Sequence, residues 1–110
     1  MCQIENKIAI VGGGSWATAM VKILGDNLAE KEIFWWMRNA EAIEHIRKYK
    51  HNPHYLSAVE TKVPDENIGS DLRKIISCAG MVLLNIPAAF LKEALKEITE
   101  DDLKGKKIIS

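Results

Sequence analysis

Three consecutive glycines, at positions 12–14, interrupt the chain just after its first apolar segment. The residues before them, Lys7–Val11, form a short run rich in β-branched side chains, which predicts a buried strand. Beyond Ser15 the apolar residues recur at helical spacing, at Ala17, Met20, Val21, Leu24 and Leu28. The chain is therefore predicted to begin with a strand, a tight glycine turn and an amphipathic helix.

The rest of the sequence continues this alternation of strands and helices. Further strands are predicted at Glu32–Met37, Met81–Leu84 and Lys106–Ser110, with a short one near Val59–Val63 inside a loop over residues 51–67. Helices are predicted at Ala40–Lys50, at Asp71–Cys78 with Ser70 as N-cap, and through Phe90, Leu91, Ala94, Leu95 and Ile98. Because parallel neighbours need helical crossovers, this order predicts an α/β, three-layer, Rossmann-type doubly wound parallel sheet that stops near its fifth strand.

Composition excludes several classes of protein. The 110 residues carry 15 Lys and Arg against 15 Asp and Glu, which gives no electrostatic case for nucleic-acid binding. No apolar stretch is long enough to span a membrane and no signal peptide is recognisable, so we expect a cytoplasmic protein. Cys2 and Cys78 are too few for a disulfide framework, and Cys78 is expected as a buried thiol. The three histidines lack metal-ligand spacing, so no metal site is expected.

The glycine turn matches a phosphate-binding pattern, Gly12-x-Gly14-x-x-Ala17. Gly12 would permit the tight turn, Gly14 would leave room for a pyrophosphate, and Ala17 would let the helix lie close to its strand. The first helical residues, Ser15 and Trp16, would offer backbone N–H groups to the phosphates. We therefore expect a dinucleotide to bind here, the alternative being a purely structural turn.

Arg38 ends the second predicted strand, where dinucleotide-binding domains contact the adenosine ribose. A guanidinium at this place favours the 2′-phosphate of NADP(H) through charge-assisted hydrogen bonds. NAD(H) stays open as the cofactor, because a guanidinium also stacks on adenine. The alternative role for Arg38 is an exposed ion pair with a carboxylate such as Glu41.

Two further segments are candidates for the same site. Asn85 and Pro87 follow the strand Met81–Leu84, at the predicted switch point of the sheet, where Asn85 offers polar contacts and Pro87 fixes the backbone. A structural break between strand and helix explains them equally well. The polar loop His51–Leu56 is either a lid near the cofactor or an ordinary surface loop.

Four segments together resemble the N-terminal domain of NAD(P)-dependent glycerol-3-phosphate dehydrogenases; they are Ile8–Ala19, Trp36–Arg38, Asn52–Leu56 and Asn85–Pro87. The dipeptide Ser15-Trp16, directly after Gly14, is the feature most specific to this family. The resemblance implies cofactor contacts by Ser15 and Trp16 at the pyrophosphate, Arg38 at the adenosine ribose, Tyr55 from the loop, and Pro87 and Phe90 on the nicotinamide side. The chain departs from the family pattern at Gly13, Ala17, Ser57–Ala58 and Asn85.

Enzymes of this family reduce dihydroxyacetone phosphate to sn-glycerol 3-phosphate with NADH or NADPH, a step that supplies phospholipid synthesis. Their catalytic residues follow the fifth strand or lie in a helical C-terminal domain. The resemblance thus implies that residues 1–110 are the cofactor domain of a longer oxidoreductase, contain no catalytic residue, are inactive alone, and meet the substrate only in the full-length enzyme. An exposed apolar surface would favour self-association, for example as a homodimer.

Three alternatives to this interpretation stay open at the level of sequence. The first is the cofactor domain of another two-domain dehydrogenase, of the 3-hydroxyacid or ketopantoate type. The second is a nucleotide-sensing Rossmann domain without catalytic activity, although such domains usually carry an acid where this chain has Arg38. The third is a structural domain that binds no ligand.

Overall fold

A computed structural model describes residues 7–27, 33–50, 63–86 and 88–109. Its centre is a five-stranded parallel sheet of β1 (Ile8–Val11), β2 (Ile33–Trp36), β3 (Ile68–Gly69), β4 (Met81–Leu84) and β5 (Lys107–Ile109). The strand order is β3-β2-β1-β4-β5, so the direction in which the chain adds strands reverses between β1 and β4. The prediction of a doubly wound parallel sheet is confirmed.

Five helices cover the sheet in the described part of the chain. They are α1 (Ser15–Asn27), α2 (Ala40–Tyr49), α3 (Leu72–Ser77), α4 (Ala88–Ala94) and α5 (Glu100–Leu103), with 3₁₀ helices at Asp65–Asn67 and Leu95–Glu97. Helices α1 and α2 pack on one face, in a cluster with Ile10, Trp35 and Leu83. Helix α3 and Ala94 of α4 pack on the other face, against Val11, Trp36 and Val82. The three-layer architecture therefore follows from strands that are apolar on both sides.

The two tryptophans of β2 point to opposite faces of the sheet, and both are buried. Trp35 belongs to the cluster under α1 and α2, and its indole Nε1 donates a 2.7 Å hydrogen bond to the carbonyl of Gly12. Trp36 belongs to the opposite cluster, and its Nε1 donates to the carbonyl of Ser70 at 2.8 Å. Each indole buries a large apolar surface without leaving its N–H unpaired.

The third strand differs from the prediction. Residues 59–62 of the strand predicted at Val59–Val63 lie outside the described residues, and the strand that pairs with β2 is Ile68–Gly69. Side chains fix this short strand, because Asn67 Nδ2 donates to the carbonyl of Ile33 (3.0 Å) and Arg47 Nη2 to that of Ile68 (2.6 Å). Two residues are too few to show the alternation by which a strand is recognised.

Two helix predictions are wrong in detail. The N-cap of α3 is Asp71 rather than Ser70, since the Asp71 carboxylate accepts the backbone N–H of Lys74. The helix through Phe90 ends at Ala94, and a separate α5 follows Thr99. Asp102 closes a capping box on Thr99, whose backbone N–H donates to the carboxylate at 2.7 Å and holds the pKa of Asp102 below its ordinary value.

Cys78 is buried as expected, but its sulfur is disulfide-bonded, so the expectation of a free thiol is wrong. The other cysteine, Cys2, lies outside the described residues, as do Leu28 and Ser110 of the predicted elements. None of the helices in the described ranges is long and apolar enough to cross a membrane.

Trp35→Phe is expected to destabilise the domain by about 1–3 kcal/mol, because it leaves the buried carbonyl of Gly12 without its donor. Urea unfolding followed by circular dichroism measures this loss. Trp16→Phe is the matched control, since Trp16 is 76% exposed, and its free energy of unfolding should change by less than about 0.5 kcal/mol. Equal stabilities of the two variants would show that the indole hydrogen bond contributes nothing.

Candidate functional site

The glycine turn is compressed between the ends of two strands. Gly12 has φ +138°, and a Cβ built there would lie 2.4 Å from the carbonyl oxygen of Asn85. Its N–H donates to the carbonyl of Trp36 at 2.8 Å, and the N–H of Asn85 donates to the carbonyl of Val11 at 2.8 Å. Only glycine fits a position with this backbone conformation and this close approach.

The next two glycines differ in what surrounds them. A Cβ on Gly13 would lie 3.3 Å from Cβ of Met37, whereas a Cβ on Gly14 would meet no heavy atom within 4 Å. The first helical hydrogen bond of α1 is donated by Thr18 N–H to the carbonyl of Gly14, at 3.0 Å. The N–H groups before Thr18 therefore have no intrahelical acceptor, and they lie at the positive end of the helix dipole.

A cavity of about 500 Å³ opens in front of this turn. It lies at the carboxyl ends of β1, β2 and β4, which is where open α/β sheets bind ligands. Its volume is in the range of small-molecule and cofactor sites. The lining residues are Gly12, Gly13, Gly14, Trp36, Arg38, Asn39, Asn85, Ile86 and Phe90.

Asn85 carries an unsatisfied donor at the wall of this cavity. Its side-chain Nδ2 is buried and has no hydrogen-bond partner among the residues that the structure describes. An amide left in this state costs about 1–3 kcal/mol, which an acceptor on a bound ligand would recover. The side chain therefore fits a ligand with oxygen acceptors, such as a phosphate, a ribose or a carboxamide.

Arg38 lies at the edge of the cavity, where two side chains of α4 lie close to its guanidinium. Its guanidinium is 5.6 Å from the centroid of the Phe90 ring, and its Nη1 is 3.9 Å from Oε2 of Glu93 on α4. Both charged side chains are more than half exposed. The alternative of an ion pair with Glu41 is thus not the arrangement found, because the carboxylate that faces Arg38 belongs to α4.

Five of the predicted cofactor-binding residues meet in this cavity; they are Gly12, Gly14, Arg38, Asn85 and Phe90. Ala17 is fully buried, 3.6 Å from a Cβ built on Gly12, so it contributes close packing rather than a polar contact. Trp16 is outside the lining and exposed. Ser15 is the first residue of α1, and its side chain lies outside the description, as do Tyr55, Pro87 and the loop His51–Leu56.

Asn39, which lines the cavity, and Glu93, which faces Arg38, were not predicted from the sequence. The Asn39 Oδ1 accepts the N–H groups of Glu41 and Ala42, which makes Asn39 the N-cap of α2. An asparagine directly before a helical pattern was a usable signal for it. Glu93 gave no signal, because it is 55 residues from Arg38 in the chain and reaches it only through the fold.

No group of three or more potential metal ligands occurs in the described segments. His45, the histidine among them, packs its ring on Tyr49 along α2 with centroids 4.7 Å apart. Neither of these two residues lines the cavity. His51 and His54 lie outside the described residues.

The doubly wound parallel sheet, the open glycine turn and the cavity at the switch point define a nucleotide-binding domain of the Rossmann class. The family profile described as the N-terminus of NAD-dependent glycerol-3-phosphate dehydrogenase matches residues 7–110. The chain belongs to this family. Family membership favours the cofactor domain of a glycerol-3-phosphate dehydrogenase over that of another two-domain dehydrogenase and over a nucleotide-sensing domain. It also supports a nicotinamide dinucleotide as the ligand.

Individual relatives agree with this assignment. The glycerol-3-phosphate dehydrogenase [NAD(P)+] of Ectopseudomonas mendocina is 33% identical over 103 residues, which are 94% of this chain and 29% of the relative. The second such enzyme of Mycobacterium bovis is 32% identical over 87% of this chain and 28% of its own. Among solved structures, the glycerol-3-phosphate dehydrogenase of Plasmodium falciparum superposes with a TM-score of 0.75 at 28% identity, over 92% of this chain and 30% of its own. The chain therefore spans less than a third of the relatives it matches.

Gly12→Ala should destabilise the domain strongly, because the φ of +138° alone costs a side chain about 1–3 kcal/mol and the Asn85 carbonyl blocks its Cβ. Gly14→Ala is the control, since nothing lies within 4 Å of the added carbon and the change should stay within about 0.5 kcal/mol. Thermal and urea unfolding distinguish the two. A stable Gly12→Ala variant would contradict the packed turn described above.

Proposed function

We propose that residues 1–110 are the cofactor-binding domain of a glycerol-3-phosphate dehydrogenase, whose full-length form reduces dihydroxyacetone phosphate to sn-glycerol 3-phosphate with NAD(P)H. The observation that carries the proposal is the glycine turn, in which Gly14 faces a cavity at the switch point of the sheet. The family profile and the relatives support the same function. A purely structural turn would have no need of an open cavity.

The residues present fit a dinucleotide. The N–H groups at the start of α1, from Ser15 and Trp16 onward, would hold the pyrophosphate, and Gly14 leaves the approach free. Asn85 would donate its unsatisfied N–H to an oxygen of the ligand. Pro87 would lie on the nicotinamide side, and Tyr55 would approach from the loop. Phe90, whose ring lies 5.6 Å from the Arg38 guanidinium, would lie at the adenosine end instead of on the nicotinamide side that the resemblance implies. When bound, the nicotinamide supplies the hydride of the reaction.

We further propose that the domain favours NADP(H) over NAD(H). Arg38 lines the cavity with an exposed guanidinium, a group that binds phosphates through charge-assisted hydrogen bonds. The residues beside it, from Met37 to Ala40, include no carboxylate that would accept a free 2′-hydroxyl. Charge and hydrogen-bonding type at this edge of the cavity therefore match a 2′-phosphate better than a ribose hydroxyl.

The chain is proposed to bind the cofactor without completing the reaction. Hydride transfer needs a group that polarises the carbonyl and an acid that protonates the alkoxide. The described lining offers the side-chain amides of Asn39 and Asn85 and the guanidinium of Arg38, and no general acid. Substrate binding thus belongs to the rest of the enzyme; a homodimer and a cytoplasmic location remain predictions.

Calorimetric titration with NADPH and NADH tests the site. The chain should bind both, with NADPH tighter and more sensitive to salt. Gly14→Val should weaken both by roughly tenfold or more, about 1.4 kcal/mol, because its branched side chain projects into the open side of the turn.

Gly69→Val is the matched control for that titration. A Cβ on Gly69 also meets no heavy atom within 4 Å, but this residue is outside the cavity lining. Its affinity for both cofactors should equal that of the unchanged chain. Unaltered binding by Gly14→Val would favour the structural interpretation of the turn. Appreciable reduction of dihydroxyacetone phosphate by the chain alone would contradict the proposal that it binds cofactor without completing the reaction.

A further inference from the structure

Helix α4 presents two groups to the same guanidinium. Phe90 and Glu93 are three residues apart and thus on one helix face, with the ring 5.6 Å and the carboxylate 3.9 Å from Arg38. Arg38 comes from the opposite side of the cavity, two residues after β2. The contact therefore joins the end of β2 to the helix that follows β4, across the edge of the cavity.

This ion pair is held loosely. The Arg38 and Glu93 side chains are 52% and 69% exposed, and 3.9 Å is longer than a charge-assisted hydrogen bond. An exposed pair of this kind contributes little, because water screens both charges. A phosphate carries more negative charge than a carboxylate, and it can accept two parallel hydrogen bonds from the guanidinium, whereas Glu93 at 3.9 Å accepts none, so a phosphate would displace Glu93.

We propose that Glu93 is a specificity-determining residue of the cofactor site, whose carboxylate competes with the 2′-phosphate of NADPH for Arg38. The inference rests on the proposed dinucleotide site. NADPH would have to separate Arg38 from Glu93 and would then place its phosphate near a like charge. NADH brings no phosphate to this place and leaves the pair intact. Glu93 thus lowers the affinity for NADPH but not that for NADH. It thereby reduces the preference for NADPH over NADH that Arg38 creates.

The test is Glu93→Gln in the same chain, titrated with NADPH and with NADH. Because exposed ion pairs are weak, the affinity for NADPH should rise roughly two- to fivefold, and that for NADH should stay within about twofold. The ratio of the two dissociation constants is the readout, since a general change in folding would move both cofactors together.

Two further variants make the result specific. Glu97→Gln removes the same charge from an exposed residue just beyond α4, and it should leave the ratio unchanged. Arg38→Gln should bind NADPH about as well as NADH, and adding Glu93→Gln to it should have no further effect. Far-UV circular dichroism and thermal midpoints establish that each variant is folded.

Three results would overturn the inference. They are equal gains for NADPH and NADH, equal effects of Glu93→Gln and Glu97→Gln, and a gain for NADPH that persists without Arg38. If the unchanged chain binds both cofactors and Glu93→Gln does not change the ratio of the two dissociation constants, Glu93 does not compete with the 2′-phosphate, while the proposed function stands. If the unchanged chain binds neither cofactor, the proposed function fails and the role of Glu93 fails with it.

Discussion

The close approach of Gly12 to the carbonyl of Asn85 is the contact on which the rest of the site depends. It joins the ends of β1 and β4, the two strands between which the sheet reverses its order. Trp35 also stabilises this turn, because its indole N–H donates a hydrogen bond to the Gly12 carbonyl. With the turn fixed in this way, α1 starts directly behind the glycines that line the cavity, so the positive end of its dipole lies next to them.

The chemistry of the cavity comes from elements that are far apart in the chain. Arg38 follows β2, Asn85 follows β4, and Phe90 belongs to α4. A parallel sheet gathers them because the carboxyl ends of all its strands lie at one edge. The Asn85 Nδ2, which is buried without an acceptor among the described residues, is the kind of local departure from full hydrogen bonding that occurs at binding sites.

Most of the fold was predictable from local pattern. The predicted and observed bounds of β1, β2, α2 and β4 differ by no more than one residue at either end, because each has a clear period or a marked boundary. Local pattern failed for β3 and α5, which have only two and four residues. Asn67 fixes β3 through its contact to β2, and Asp102 of α5 accepts a hydrogen bond from Arg73 of α3. It also chose Ser70 as the cap of α3, since serine and aspartate are equivalent N-caps until the backbone conformation is known.

The sequence alone determined the strand, glycine turn and first helix, the alternation that makes the sheet parallel, and the resemblance that names the family. These depend on residues within a few positions of one another, where backbone sterics and hydrophobic period act. Tertiary structure decided that Arg38 faces Glu93 rather than Glu41, that both tryptophans of β2 are buried, and that the side-chain N–H of Asn85 finds no acceptor among the described residues. Such contacts join residues that only folding brings together, so no local pattern encodes them.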